Sequence, residues 1–319
     1  MNFNARKAAL RGLTAAALIA ATPLASAVSF SNLYFFGDSL SDTGNITFAT
    51  GFPDEPYTEG RFTGNFANGD AGLVWAEYVA AHFGGAAVNS LNGGTNYAWG
   101  GAQIGPANAG FPPSLTDQSN FYLNDVSGAA DPNALYTVFG GGNDVRANDI
   151  AGSVNEVRSI IENLAAAGAT NFFVPTLPDI GMTPESLAGD APGGSAAVIS
   201  AAATQFNTDL VAMLDDLEAT LDITIARFDL FGFFNDVIAD PNAFGLNNAS
   251  DACFDGTNLC DDLDGYLFFD GIHPTAVGHQ LVGGLAIDAI EAAFVPIPAA
   301  LPMMLAALGS LGLARRRAA

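Results

Sequence analysis

Short apolar runs and helix-like stretches alternate along the middle of the chain. "NLYFF" (32–36) reads as a strand rich in aromatic residues. In "AGLVWAEYVAAHFG" (71–84), Leu73, Trp75, Ala76, Val79 and Ala80 fall near one stripe of a helix, and a short strand follows at "AAVN" (86–89). "ALYTVFG" (134–140) predicts the next strand, and a helix from about Asp149 to Ala167 stops at Gly168. A strand at "NFFVPT" (171–176), a long helix over 195–221, a strand at "ITIARFDL" (223–230) and a helix from after Pro274 to about Phe294 complete the series. Strands separated by helical crossovers predict a parallel sheet covered on both faces, an α/β fold. Polar chemistry then collects beyond the carboxyl ends of the strands. The Gly-, Asn- and Pro-rich stretches 45–70, 89–133 and 178–194 read as long loops and as walls of a cleft, and the apolar "LFGFFNDVIADPNAFG" (230–245) reads as another loop. There is no internal repeat.

The two ends depart from this pattern. Residues 1–27 carry Arg6, Lys7 and Arg11, then "LTAAALIAA", then Ala25-Ser26-Ala27. That is the charged, apolar, small-residue order of a secretory signal peptide, with cleavage expected before Val28. The other end, "VPIPAALPMMLAALGSLGLARRRAA" (295–319), is uncharged up to three closing arginines. It has the length to span a bilayer, although Pro296, Pro298 and Pro302 disfavour helix at its start. Three parts are therefore expected: a signal over 1–27, one domain over 28–294, and a hydrophobic sorting or anchor segment over 295–319.

Charge sharpens the picture. The formal net charge is −23, and all 33 acidic residues lie in the central region, where Arg61, Arg146, Arg158 and Arg227 are the only cations. A surface of that sign repels nucleic acid and anionic lipid heads, so no nucleic-acid partner is expected. The apolar fraction of 50% argues against disorder as the cause of the acidity. The only cysteines, Cys253 and Cys260, lie close enough in an exported chain to predict a disulfide, and no third soft ligand beside them suggests a metal. The acidic "DDLDG" departs from the loop pattern of a calcium-binding hand and reads as a solvated loop.

Candidate chemistry begins where the first strand ends. "FFGDSLSDTGN" (35–45) holds Ser39 just past that strand, and a serine becomes a nucleophile only when a base takes its proton. Of three histidines, His82 and His279 lie in helices, whereas His273 lies in the loop "FFDGIHPT" with Asp270 three residues before it. That spacing lets one loop carry a base and the carboxylate that fixes its tautomer. Oxyanion donors are available in "NYAWGGA" (96–102) as a glycine N–H and in "FGGGND" (139–144) as the Asn143 side-chain amide.

Taken in order, "FFGDSLSDTGN", "NYAWGGA", "GGND" and "DGIHP" resemble the sequence blocks of the GDSL (SGNH) hydrolases, and "VPTLPDIGMTP" is similar to a segment of their bacterial lipase and esterase branch. The resemblance implies a three-layer α/β/α sandwich around a mostly parallel five-stranded sheet, the flavodoxin-like SGNH hydrolase fold. It implies Ser39 as nucleophile, His273 as base and Asp270 orienting it, with no cofactor. The oxyanion hole would be the Ser39 N–H, the Asn143 amide and a glycine of the second block, placed at Gly100 with Gly101 as the alternative. Asp38, Asp42 and Asn45 would brace the turn. The tail resembles a PEP-CTERM-type sorting segment in its Val-Pro-Leu-Pro-Ala variant, here "VPIPA". That implies export in a Gram-negative bacterium, a processing enzyme in the membrane as partner, and transient or permanent inner-membrane anchoring of a secreted or cell-surface protein.

The expected function is thus hydrolysis of carboxylic esters by an exported serine esterase or lipase. The rival readings are an acyltransferase or polysaccharide O-deacetylase using the same site, and a noncatalytic surface protein placed by its tail.

Overall fold

The computed structural model describes residues 28–105 and 110–295. The expectations for residues 1–27 and for the tail beyond Val295 lie outside them. Residues Val28–Phe294 form one compact unit.

In chain order the elements are β1 (Leu33–Gly37), α1 (Asn45–Thr50), α2 (Trp75–His82), α3 (Leu115–Asp125), β2 (Leu135–Phe139), α4 (Gly142–Arg146), α5 (Ser153–Ala166), β3 (Asn171–Phe173), α6 (Pro184–Ala188), α7 (Ala196–Thr220), β4 (Thr224–Ala226), α8 (Leu230–Ala239), β5 (Asn248–Ala252), β6 (Tyr266–Phe268) and α9 (Ala276–Phe294). The main sheet has the order β1-β2-β3-β4 and every pairing in it is parallel. Its register puts Tyr34, Tyr136 and Phe172 in one row and Phe35, Thr137 and Phe173 in the next.

Side chains alternate across a strand, so these rows face opposite layers. On one face Trp75 of α2 packs against Phe35, Phe139 and Phe173, and α2 lies along α9. On the other, Tyr122 of α3 packs against Tyr34, Phe36 and Tyr136, with α5 and α7 beside it. These are the three α/β/α layers expected. Both faces of the central strands are buried, which is why β2 reads as an unbroken apolar run around Thr137.

Several local expectations need correction. The main sheet has four named strands rather than five. The place beside β1 is taken by residues 95–99, through Phe35 N–H to Thr95 O, Tyr97 N–H to Phe35 O and Trp99 N–H to Gly37 O. "AAVN" is not a strand; Asn89 bridges Asn96 instead. The stretch 89–133 contains α3, whose N-terminus is closed by Ser114 accepting from Asp117 N–H while the Asp117 carboxylate accepts from Ser114 N–H. The apolar stretch 230–245 folds as α8, capped by Asp229, and the β5–β6 pair was not anticipated.

Cys253 and Cys260 form the expected disulfide. Every arginine among the described residues is clamped by acid: Arg61 by Glu77, Arg146 by Glu185, Arg158 by Glu162 and Asp216, Arg227 by Asp215 and Glu218. No helix among the described residues is long and apolar enough to cross a membrane.

Candidate active site

At the carboxyl end of β1 the peptide of Gly37 is held on both sides by one amide: its N–H donates to Gln118 Oε1 and its carbonyl accepts from Gln118 Nε2, each at 2.9 Å. A side chain at Gly37 would meet Phe139 O at 2.6 Å, so glycine is required there. The chain then turns sharply. Ser41 and Asp42 donate their N–H groups to Asp38 O, and Leu40 donates to Asp38 Oδ1 at 3.0 Å. This turn lifts Ser39 out of the sheet.

Two further side chains lock the turn. Asp42 accepts the N–H groups of Gly44 and Asn45 on Oδ1, and those of Ile46 and Gly100 on Oδ2. Asn45 Nδ2 donates to Asn96 O and Ala98 O, and Asn96 Nδ2 donates to Ser41 O. The turn after β1 is thereby stitched to residues 96–100, which brings the first and second sequence blocks together.

His273 enters from the loop after β6. Its Nε2 lies 2.9 Å from Ser39 Oγ and its Nδ1 lies 2.7 Å from Asp270 Oδ2. Asp270 Oδ1 accepts the N–H groups of Ile272 at 2.8 Å and His273 at 2.7 Å, which fixes the carboxylate within its own turn. Burial alone would raise this carboxyl, but the charge of His273 and these hydrogen bonds hold it well below the usual carboxylate range. An ionised carboxylate only accepts, so Nδ1 carries the hydrogen and Nε2 is free to take one from Ser39. Phe62 lies over the imidazole, with ring centroids 5.0 Å apart.

Asn143 stands at the start of α4 and its Nδ2 donates to Ala102 O at 2.9 Å. An amide nitrogen has two hydrogens, so one orients the group and the other remains available. Of the two glycines expected as donor, Gly100 and Gly101, the first has its N–H engaged. The Gly100 N–H is spent on Asp42 Oδ2 at 2.8 Å. Among the described residues, the N–H groups of Ser39 and Gly101 have no partner. Gly101 has a φ of 77°, a backbone state that favours glycine, and is exposed where Gly100 is buried.

The cleft over Ser39 is lined by Asn143, Arg146, Ile180, Thr183, Ile272 and His273. Ile180, Thr183 and Ile272, with Leu40, also wall a mostly apolar cavity that runs on to Phe234, Phe268 and His279. His279 is buried, accepts the Trp75 N–H on Nδ1 at 3.4 Å, and has no partner for Nε2 among the described residues. The Asp38 carboxyl, behind Ser39, is pushed up to about 6 by burial.

Two participants went unnoticed in the sequence. Gln118 lies in a stretch read as loop. Tyr57, from "YTEGRF", donates its hydroxyl to Asp270 Oδ2 at 2.8 Å, and no local pattern advertises that.

The sequence profile of the GDSL-like lipase/acylhydrolases matches residues 33–285, most of the chain and every residue of this relay. The chain belongs to that family. As a GDSL-like protein it is 28% identical to Lipase 1 of Photorhabdus luminescens over 85% of its own length and 52% of the relative's. It is 27% identical to a GDSL esterase/lipase of Arabidopsis thaliana over 82% of its length and 90% of the relative's. A solved member of the lipolytic G-D-S-L family from Veillonella parvula superposes with a TM-score of 0.45 at 17% identity, covering 81% of this chain and 96% of that one. The GDSL-like chain spans about half the length of the Photorhabdus relative, 52%.

Proposed function

We propose that this protein hydrolyses carboxylic esters through an acyl-enzyme on Ser39. The observation that carries the reading is the relay Ser39 Oγ to His273 Nε2 at 2.9 Å and His273 Nδ1 to Asp270 Oδ2 at 2.7 Å, in a chain of the GDSL-like family. His273 takes the serine proton as Ser39 Oγ attacks the ester carbonyl. The oxygen that gains charge is held by the N–H groups of Ser39 and Gly101 and the second Nδ2 hydrogen of Asn143. Protonated His273 then gives its proton to the departing alkoxide, and the acyl group stays on Ser39. Water, deprotonated by the same imidazole, attacks the acyl-enzyme; the bond to Ser39 Oγ breaks as His273 returns that proton to it, and the acid is released. Asp270 remains ionised throughout and holds the imidazole in its working tautomer.

Leu40, Ile180 and Ile272 make an apolar wall beside Ser39, and the free space there, about 40 Å³, supports a short acyl group against that wall with the alcohol toward the open side. The disulfide supports action outside the reducing cytoplasm. The signal-like and sorting-like stretches of the sequence support export in a Gram-negative cell, with a membrane processing enzyme acting on the tail.

The test is covalent labelling. A fluorophosphonate should modify the native protein on Ser39 and leave Ser39→Ala unmodified, while a panel of p-nitrophenyl esters, phospholipids and acetylated sugars defines the substrate. Equal labelling of both proteins overturns the assignment.

A further inference from the structure

We propose that Tyr57 is a positioning residue for this reaction, its hydroxyl setting how strongly Asp270 supports protonated His273. The inference rests on the acyl-enzyme reading and adds a group to it.

A carboxylate has about four acceptor sites, and all four on Asp270 are used. Oδ1 takes the Ile272 and His273 N–H groups; Oδ2 takes His273 Nδ1 at 2.7 Å and the Tyr57 hydroxyl at 2.8 Å. The phenol and the imidazole therefore share one oxygen. Whatever charge the phenol draws from Oδ2 is withheld from the imidazolium. The backbone donors on Oδ1 hold the carboxylate in place by themselves, so Tyr57 acts mainly on the strength of the Asp270–His273 contact.

The ring is fixed as a device of this kind requires. It meets Phe269 edge-on with centroids 5.0 Å apart, Phe254 at 6.0 Å and Phe62 at 6.3 Å. Phe62 also covers the His273 imidazole, and Phe254 follows Cys253 of the disulfide. The Tyr57 N–H donates to Asp54 O, which ties the segment down from behind. Burial, and then the charge of Asp270, raises the phenol above its ordinary range, so it stays a donor wherever the enzyme works.

Other charges surround the pair. Asp38 lies behind Ser39, and His279 feels His273 from α9. Arg146, clamped by Glu185, acts on Asp270 from α4, and Asp190 and Asp255 share that cleft wall. Asp54, Glu55 and Glu59 flank Tyr57 on its own segment. All of these are unchanged in Tyr57→Phe, so the comparison isolates one hydroxyl.

The experiment uses the full-length protein and a p-nitrophenyl ester, with kcat/KM followed from about pH 5 to about pH 9. Freed of its competitor, Asp270 stabilises the imidazolium more, so the acid limb in Tyr57→Phe should move up by about half a pH unit. kcat on the plateau should rise by up to about threefold, the factor half a pH unit represents, while KM stays within about twofold, because the ground-state contacts are untouched. The low-field Nδ1 proton resonance of His273 should shift as well. Replacing Tyr57 by 3-fluorotyrosine strengthens the donor without removing it and should move the limb the other way, which keeps the test intact should the Phe variant unfold. A native limb position in both variants overturns the proposal, as does a change confined to KM or to thermal stability. Ester turnover that survives Ser39→Ala would overturn the acyl-enzyme reading itself; an inactive Ser39→Ala beside an unmoved limb removes Tyr57 alone.

Discussion

The Asn143 side chain donates to Ala102 O at 2.9 Å, so the amide is oriented before any substrate arrives. Preorganised donors cost no rearrangement when charge develops. Asn143→Ala should therefore lower kcat by about 10²–10³ with little change in KM. Steady-state kinetics on a soluble ester decides it; an effect confined to KM would make Asn143 a ground-state contact.

Gln118 closes both sides of the Gly37 peptide in a buried environment. Gln118→Ala strands the Gly37 N–H and leaves its carbonyl with the Trp99 N–H alone. A buried polar group left unsatisfied costs about 1–3 kcal/mol, so the variant should lose about 2–4 kcal/mol in urea denaturation. Because Gly37 is two residues from Ser39, kcat should fall too. Native stability would show that water replaces the amide.

The disulfide closes a short loop, with a sequence separation of seven between Cys253 and Cys260. On the chain-entropy estimate this contributes about 2.5 kcal/mol. The double variant Cys253→Ser, Cys260→Ser should be less stable by that margin in denaturant unfolding, with a lower melting temperature. It should also loosen Phe254, which stacks on Phe269 with centroids 6.0 Å apart, and with it the aromatic group around Tyr57. Two free thiols by mass spectrometry in protein isolated from its own host would refute the bridge.

Burial, and after it the charge of His273, lower the His279 imidazole to about 3 from 6.5. In the unfolded chain the group titrates near its ordinary value, so below that pH the unfolded state binds the extra proton. Stability is then lost as pH falls from 6.5 toward 3, by up to about 1.4 kcal/mol per unit. Asp38 opposes this: its carboxyl is raised from 3.8 to about 6, so its contribution is present at low pH and is lost as pH rises between those values. His279→Asn removes only the first effect. Measured by denaturation from about pH 4 to about pH 6, the advantage of native over variant should grow with pH. Parallel curves would mean that His279 is not held neutral.

What the sequence reveals and what it hides follow from the range of the interactions. Ser39, Asp270, His273 and Asn143 lie in short blocks whose residue types are dictated by tight turns and chemistry, and the fold brings them together. The strands were legible because β1 and β2 are buried on both faces. α3 is hidden because its buried face mixes Gln118 and Ser119 with Leu115 and Tyr122, Gln118 being spent on the Gly37 peptide. α8 was hidden because phenylalanines cover several sides of it, which removes the polar stripe that marks a surface helix. The sequence does not separate Gly100 from Gly101, because nothing local shows that Asp42, far away in sequence, claims the Gly100 N–H. Tyr57 is 213 residues from Asp270, and a contact of that span leaves no trace in a local pattern.

The acid clamps on the four arginines bear on what happens after cleavage. An ester is neutral, but the acid it releases is an anion at neutral pH. That anion is born inside a molecule of formal charge −23, beside an Arg146 already occupied by Glu185. Among the described residues no arginine is left unclamped to retain it. In the proposed reaction, the field that ignores a neutral ester should push its carboxylate product outward, and added salt, by screening that field, should slow the escape.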